Sequence, residues 1–232
     1  MNNNLQQIKN RTLFLSVGYV AVFIIIIFTI DYARASVTCG NPFVNGYGPY
    51  DYTNPNHYQE KLPIVEKHHL QNDVIDNALL IGPKTEKPLY VVGNLDYTLR
   101  AFPNHHKALM AMGNYLSYLK KEEPDEYMIM VKKFRTAECY FQRAIEFKPN
   151  DAYVYLLHGI LLYKNNDLKK SIEQLNKAEA LKPDNAEIQY NIGLIYFKQN
   201  EIDLSVKHAK KAYSLGFPLP YLRDELEKLG KW

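Results

Sequence analysis

Two consecutive stretches of equal length decide the fold of this chain. Residues 152–185 read AYVYLLHGILLYKNNDLKKSIEQLNKAEALKPDN, and residues 186–219 read AEIQYNIGLIYFKQNEIDLSVKHAKKAYSLGFPL. Gly159 and Gly193 hold the same place in the two stretches, and the interval from Pro149 to Pro183 equals the interval between these glycines. A fixed period of this kind indicates two-helix units that bury their apolar faces against one another. We therefore predict an all-α fold, a helix-turn-helix solenoid.

The residues between these markers resemble the tetratricopeptide repeat (TPR). Its first helix carries a large apolar residue, Leu-Gly and Tyr, and its second helix carries Ala, Phe, Ala and a closing Pro. The corresponding positions hold Tyr155, His158-Gly159, Leu162, Ser171, Leu175, Ala178 and Pro183, and then Gln189, Ile192-Gly193, Tyr196, Ser205, Ala209, Ala212 and Phe217-Pro218. The resemblance covers about half of the chain and implies a solenoid that binds other proteins.

An earlier unit is present in stretched form. Gly113 lies in a first-helix pattern, and the interval from Gly113 to Pro149 is twelve residues longer than the interval from Gly159 to Pro183. We therefore predict about three repeats over residues 104–232, with an insertion around residues 120–135. Residues 127–134 are expected to prolong the second helix of this unit.

The chain ends in a segment that is typical of a solenoid cap. Leu222, Leu226 and Leu229 line one stripe between Pro220 and Gly230, and charged residues cover the other side. We predict a C-terminal capping helix here. The whole ending is similar to that of small exported TPR proteins of Gram-negative bacteria, a resemblance that implies no established activity.

The first 35 residues are typical of a targeting segment. Residues 13–30 read LFLSVGYVAVFIIIIFTI without a charge, Lys9 and Arg11 precede them, and Ala33-Arg34-Ala35-Ser36 has the small-x-small pattern of a cleavage site. A signal anchor and a signal peptide cleaved near Ala35 are both compatible with this pattern. Either one exports residues 36–232, so we expect a periplasmic protein, anchored in the inner membrane through residues 13–30 or secreted after cleavage.

Residues 36–103 are predicted to form an irregular arm rich in Tyr, Gly and Pro, with short helices. Leu62–Glu66 is expected to be a short extended piece, a helix is expected from Asn72 or Asp73 to Leu80, and Leu89–Val92 is a possible strand. The arm either packs its aromatic rings on the helical body or presents them to a partner.

The two cysteines, Cys39 and Cys139, are predicted to form a disulfide. In an oxidising compartment two cysteines usually pair. The competing interpretation is two free thiols, with Cys139 buried on a helix.

Composition and motifs exclude several classes of function. The formal charge of +3 is too balanced for a protein that binds nucleic-acid phosphates. No nucleophile elbow, phosphate-binding loop or zinc-protease motif occurs, so we expect no enzyme and no catalytic residues. The adjacent pairs His68-His69 and His105-His106 rarely chelate as units, because neighbouring side chains diverge. We therefore expect no metal and no cofactor.

As the resemblance implies, the first helices of stacked repeats line a groove for a protein or peptide. The expected partner-binding residues are the exposed positions of these helices: Tyr153, Leu156, Ile160, Tyr163, Lys164, Tyr190, Asn191, Leu194, Phe197 and Lys198. The first unit contributes Met110, Asn114, Ser117 and Tyr118. The groove either accepts a partner or is filled by the protein's own arm.

The resulting functional hypothesis is an exported scaffold that binds protein partners during assembly of a pilus, secretion or other envelope complex. The first alternative is a secreted, self-associating subunit whose Tyr-rich arm enters a neighbour's groove. The second alternative is a metal- or haem-handling protein that uses the histidine pairs.

Overall fold

The computed structural model describes residues 39–70 and 87–232, and all regular elements within these two ranges are helices. We number them α1 to α11 in chain order. They are α1 (Pro55–Glu60), α2 (Leu62–His69), α3 (Pro88–Ala101), α4 (His106–Glu122), α5 (Pro124–Lys133), α6 (Ala137–Phe147), α7 (Ala152–Lys164), α8 (Leu168–Leu181), α9 (Ala186–Lys198), α10 (Ile202–Ser214) and α11 (Tyr221–Lys228). The predicted all-α fold is confirmed.

The two repeats have the same backbone design. Helices α7 and α9 begin one repeat period apart, and so do α8 and α10. The turns between the helices of each repeat contain Asn166 and Asn200, whose φ angles are 62° and 63°. Asparagine tolerates this left-handed conformation better than most residues, and a residue in this conformation commonly terminates a helix. The next residues, Asp167 and Glu201, each donate their N–H to a carbonyl of the preceding helix at 2.9 Å, so both turns close in the same way.

The helices of each repeat approach closely at a glycine. The Ser171 hydroxyl donates to the Gly159 carbonyl at 2.7 Å, and the Ser205 hydroxyl donates to the Gly193 carbonyl at 2.9 Å. All four residues are buried. The serines satisfy their polar groups on the neighbouring helix and can therefore occupy a position where the TPR pattern has alanine.

The stretched first unit contains an additional helix. Helix α4 begins at His106, and α7 begins at Ala152. The interval between these two helix starts is twelve residues longer than one repeat period. Helix α5 holds most of this insertion and packs against α4. The insertion therefore forms a helix of its own between the two helices of the first unit.

The prediction that residues 127–134 prolong the second helix of this unit is wrong. Pro124 starts α5 as a separate helix, and the backbone of Phe134 leaves the helical conformation with φ −114° and ψ −117°. Helix α6 then begins anew, because the Thr136 hydroxyl accepts a hydrogen bond from the Cys139 N–H at 3.3 Å.

The C-terminal cap is confirmed as α11, but Leu229 does not belong to its buried stripe, because it lies at the end of the helix and is 53% exposed. Leu222 and Leu226 are fully buried against Tyr190, Ala209 and Ala212 of the last repeat. Charged residues face outward on the remaining sides of α11. The cap therefore covers the apolar face that the last two-helix unit would otherwise expose.

A helix replaces the possible strand at Leu89–Val92, and this prediction is wrong. Pro88 lies in the first turn of α3, where its missing N–H costs nothing. Val91, Leu95 and Leu99 recur at helical spacing and are buried in the same core cluster as α4. Packing of this stripe on α4 outweighs the β propensity of the local Val-Val pair.

The extended piece expected at Leu62–Glu66 is also helical, so that prediction is wrong too. It forms the first part of α2, in which Leu62 and Val65 are buried three residues apart. Glu66 of the same helix accepts a hydrogen bond from His105, so both the apolar and the polar side of α2 have partners on the body of the protein.

A buried carboxylate ties α3 to the first repeat. Asp96 accepts hydrogen bonds from Arg100 Nε at 2.9 Å, from Arg135 Nη1 at 3.0 Å and from the Tyr140 hydroxyl at 2.7 Å. Burial and the Asp96 carboxylate raise the pKa of Tyr140 above its usual range, so its hydroxyl stays a donor.

Three tyrosines near the start of the arm pack against the end of helix α3. Tyr47, Tyr50 and Tyr52 surround a small cluster that includes Ala101 and Phe102 at the end of α3. The Tyr50 N–H donates to the Ala101 carbonyl at 2.7 Å. Of the two interpretations of the arm, these contacts support packing for the three tyrosines.

Contacts along the chain define two compact units, residues 1–41 and 42–232. The described residues 42–70 and 87–103 lie in the same compact unit as the repeats. Residues 13–30 and the helix expected between Asn72 and Leu80 lie outside the described residues. Within the described ranges, no helix is both long and apolar enough to cross a bilayer.

Candidate protein-binding face

The first helices of the three units, α4, α7 and α9, share a solvent-accessible side. Lys164 Nζ donates to Asn114 Oδ1 at 3.3 Å, and Asn165 Nδ2 donates to Ser117 Oγ at 3.2 Å. These two exposed hydrogen bonds connect α4 and the end of α7. We call the accessible side of these helices the inner-helix face; it comprises Asn114, Ser117, Tyr153, Ile160, Tyr163, Lys164, Asn191, Leu194, Phe197 and Lys198.

Eight of the ten predicted partner-binding residues keep accessible surface on this face. Their side chains range from half-buried to exposed, which leaves them open to contact: Tyr153, Ile160, Tyr163, Lys164, Asn191, Leu194, Phe197 and Lys198. Tyr163 and Phe197 occupy equivalent positions in the two repeats, and each packs at the border of a core cluster. They present one aromatic side chain per repeat.

Leu156 and Tyr190 are corrections to the predicted set. Leu156 is 0% exposed, because it packs in the same core cluster as Ile188 of the next repeat. Tyr190 is 6% exposed, because Phe217 stacks on its ring at a centroid distance of 4.0 Å. Both side chains stabilise the array and offer no open surface to a partner.

Lysines outnumber carboxylates on and beside this face: Lys164 and Lys198 are exposed, and Glu187 at the start of α9 is an exposed carboxylate. In the described parts of the chain, Lys164 and Lys198 make no ion pair with a carboxylate, and Lys120 at the end of α4 makes none either. Lys182 Nζ lies 4.8 Å from the centre of the Tyr153 ring at one end of the face. Unpaired lysines next to aromatic rings favour a ligand with acidic groups.

The arm meets the repeats at the start of α4 and α7, and its contacts there are largely polar. Asp51 forms an ion pair with Lys148 at 2.7 Å and accepts a hydrogen bond from Asn104 at 2.9 Å. Burial alone would raise the pKa of Asp51, but the hydrogen bonds from Lys148, Thr53 and Asn104 outweigh it and lower the pKa to about 2. This carboxylate is therefore ionised at neutral pH and holds the arm in place.

The described residues of the arm make their ring contacts away from the centre of the inner-helix face. Tyr52 contacts the His106 ring at 4.8 Å, and His106 in turn contacts the Tyr153 ring at 5.4 Å. The ring contacts of Tyr47 and Tyr50 go to each other, His57 and Phe102. Tyr163 and Phe197 make no ring contact with the described arm residues, and both side chains keep accessible surface in the middle of the face.

His69, His105 and His106 of the adjacent histidine pairs have structural partners. His105 is buried, and burial lowers its pKa, so its ring is neutral. Its Nδ1 accepts from the Ala108 N–H, which leaves the Nε2–H to donate to Glu66 at 3.2 Å. His69 stacks on Tyr97 at 3.9 Å. Residues 39–70 and 87–232 contain no group of three or more side chains that could hold a metal ion.

Both cysteines are disulfide-bonded. Cys39 and Cys139 carry no free thiol in the structure, in agreement with the predicted disulfide. Neither sulfur is therefore available as a nucleophile, and a Cys-His pair for catalysis does not form at Cys139.

A cavity beside the inserted helix α5 was not predicted from the sequence. A cavity of about 170 Å³ lies where Tyr127 of α5 meets residues of α4, α6 and α7. The only sequence signal for it is the extra spacing between Gly113 and Pro149, because the lining comes from four separate helices.

Comparison with known proteins identifies the repeats. The family model of the TPR repeat matches residues 159–200. This match lies within the helix pairs α7–α8 and α9–α10, and the helical array as described has the architecture of a TPR-like solenoid. No curated protein matches this sequence.

Several solved structures are similar to this chain at low sequence identity. A thermophilic TPR protein of Thermus thermophilus is 17% identical, over 75% of this chain and 90% of that chain, with a TM-score of 0.49. A crystal structure of MamA is 23% identical, over 61% of this chain and 90% of that chain, with a TM-score of 0.34. A MamA RS-1 double mutant is also 23% identical, over 54% of this chain and only 64% of that chain, with a TM-score of 0.37.

Proposed function

We propose that this protein is an exported scaffold that binds a protein partner through the inner-helix face. The observation that carries the proposal is the centre of this face, where the accessible side chains of Tyr163 and Phe197 lie beside lysines that have no acidic partner among the described residues. Stacked helical repeats offer extended surfaces of this kind to peptides and protein segments.

Residues 1–35 support an envelope location for the scaffold. An uncharged stretch at residues 13–30 behind Lys9 and Arg11 would direct the repeats outward across the inner membrane. A tethered or secreted scaffold in that compartment suits the assembly of a pilus, a secretion machine or another envelope complex.

A crosslinked pull-down of the tagged full-length protein from solubilised envelopes, analysed by mass spectrometry, tests this function. The variant Tyr163→Ala with Phe197→Ala should lower recovery of the partner at least about tenfold, because both central aromatic contacts are lost. The matched control, Tyr90→Ala with Tyr221→Ala, removes two exposed tyrosines that lie outside both residues 40–58 and the inner-helix face and should leave recovery unchanged. Equal recovery with both variants would refute the assignment of the face.

A self-associating subunit is the second candidate. Phe43 and Tyr58 in the arm are 53% and 50% exposed, so aromatic side chains remain available to a second copy. The same crosslinking experiment separates the two functions. A ladder of the protein alone, with crosslinks between residues 40–58 and the inner-helix face, would support the subunit and contradict the scaffold.

A further inference from the structure

The cavity formed by the insertion has the size of one side chain. Its volume of about 170 Å³ is close to that of an apolar protein cavity of roughly 150 Å³ that holds one benzene. Sites for cofactors and drug-sized molecules are larger, about 300–1,000 Å³. An aromatic ring from a protein partner fits the volume, and a cofactor does not.

The lining combines apolar walls with polar groups. Leu116, Leu161 and Leu162 contribute the apolar part, together with the Tyr127 ring from the insertion. The polar groups come from Ser117, Lys120, Thr136, Glu138, His158 and Asn165. Such a mixture suits a ring that also carries a hydrogen-bonding group.

A fixed carboxylate supplies the acceptor. Glu138 Oε2 accepts from His158 Nε2 at 2.9 Å, and the buried His158 ring stacks on Phe141 at 4.7 Å with an interplanar angle of 9°. The hydrogen bond from His158 lowers the pKa of Glu138, which keeps the carboxylate ionised and able to accept. About half of the Glu138 side chain is exposed, so it can reach a donor from a partner.

The cavity and the inner-helix face share Ser117. Ser117 and Asn165, which are hydrogen-bonded to each other, line the cavity, and Lys164 lies next to Asn165 on the face. Lys120 also lines the cavity. A segment lying along the face therefore passes the cavity and the three lysines that lack a carboxylate partner among the described residues.

We propose that this cavity anchors a single Trp or Tyr side chain of an acidic partner segment bound along the inner-helix face. The ring fills the space between Leu116, Leu161 and Leu162, and its N–H or O–H donates to Glu138. Acidic residues beside the ring face Lys120 and Lys164. This inference rests on the proposed function and specifies the chemistry of the partner.

Fluorescence anisotropy with labelled dodecapeptides tests the proposal on the full-length protein. The probe has Asp and Glu flanks and one central Trp; its counterparts have a central Ala, a central Phe, or Lys and Arg flanks. We expect the central Ala to weaken binding at least about tenfold, as loss of a buried aromatic anchor does. We expect the basic flanks to abolish measurable binding.

Protein variants locate the anchor. Ala137→Phe places a ring in the cavity and should remove the preference for Trp over Ala, whereas the control Ala180→Phe adds the same ring at an exposed site on α8. Glu138→Gln should reduce the preference for Trp over Phe without filling the cavity. Circular dichroism verifies that each variant is folded, and the Glu138 variant keeps the proposal testable if Ala137→Phe does not fold.

The outcomes separate this proposal from the function on which it rests. If Ala137→Phe and Glu138→Gln both keep the wild-type peptide preferences, the anchor in the cavity is refuted. This holds even if Tyr163→Ala with Phe197→Ala weakens the binding of all peptides alike. If Tyr163→Ala with Phe197→Ala has no effect but Ala137→Phe abolishes the preference for Trp, the cavity is supported as the anchor site. The assignment of the inner-helix face is then refuted. Equal binding of acidic and basic peptides would overturn the acidic nature of the partner.

Discussion

Replacing Gly159 with alanine tests the close helix approach that builds each repeat. A Cβ atom at this position would lie 2.7 Å from Leu175 Cγ and 2.9 Å from Leu175 Cδ2. Leu175 is 0% exposed, and its branched Cγ cannot move aside without shifting α8. Overpacking of this kind costs about 1–3 kcal/mol, and the better helix propensity of alanine returns about 0.5–1 kcal/mol. We expect a net loss of about 1–2 kcal/mol in the free energy of unfolding.

Gly93→Ala is the matched control for this prediction. Gly93 also lies inside a helix, α3, but its added Cβ would meet only Phe134 Cζ at 3.8 Å, an ordinary contact. We therefore expect this variant to gain up to about 1 kcal/mol from helix propensity.

Urea unfolding of the full-length protein, followed by far-UV circular dichroism, measures both changes as shifts of the midpoint at constant slope. A second substitution, Leu175→Ala, should remove the penalty of Gly159→Ala, so that the two changes together cost less than the sum of their separate costs. A Gly159→Ala protein as stable as the wild type would refute the assigned packing of α7 on α8.

Three further predictions concern polar contacts and the disulfide. Asp51→Asn should destabilise by about 1–2 kcal/mol at pH 7, since it removes charge-assisted hydrogen bonds. The difference in the free energy of unfolding between the wild type and this variant should decrease as the pH drops from 3.8, the usual pKa of this carboxyl, through the folded-state pKa of about 2. Chemical unfolding at several pH values measures this difference. A difference that does not change with pH would contradict the assigned pKa. Asp96→Ala should cost about 2–3 kcal/mol by leaving its buried donors unpaired, and a thermal unfolding midpoint equal to that of the wild type would argue against the network. Thiol titration of the unfolded, unreduced protein should find no free thiol, and two after reduction; two thiols without reductant would exclude the bond at Cys39 and Cys139.

The structure of the N-terminal half depends on contacts that the local sequence does not reveal. The Val-Val pair of Leu89–Val92 favours a strand by composition alone, yet it forms part of α3. The stripe of Val91, Leu95 and Leu99 becomes decisive only when α4 is present to cover it. Local propensities differ by a few tenths of a kcal/mol per residue, whereas burial of one such side chain contributes about 1.5–3 kcal/mol.

The sequence predicted most residues of the candidate site, and the structure removes two of them. Exposed helix positions follow from the repeat pattern, and eight of the ten predicted residues keep accessible surface on the inner-helix face. The prediction that Tyr190 is accessible to a partner is wrong, because Phe217 stacks on its ring. Phe217 lies beyond the end of α10. Such a contact depends on how the segment after α10 folds back, and a single repeat carries no signal for it.

The sequence by itself determined the two regular repeats at residues 152–219 and the capping helix that follows them. The reason is that each repeat is a local structure: the repeat period, the glycines and the turn asparagines act within one unit or between neighbours. Only the tertiary structure decided which side chains of the face stay accessible, that the described arm lies beside that face, and that Tyr127 of the insertion lines a cavity. Those features bring together residues from separate helices, such as Tyr127, Glu138 and Leu161, and their relative positions are set by the packing of the whole array.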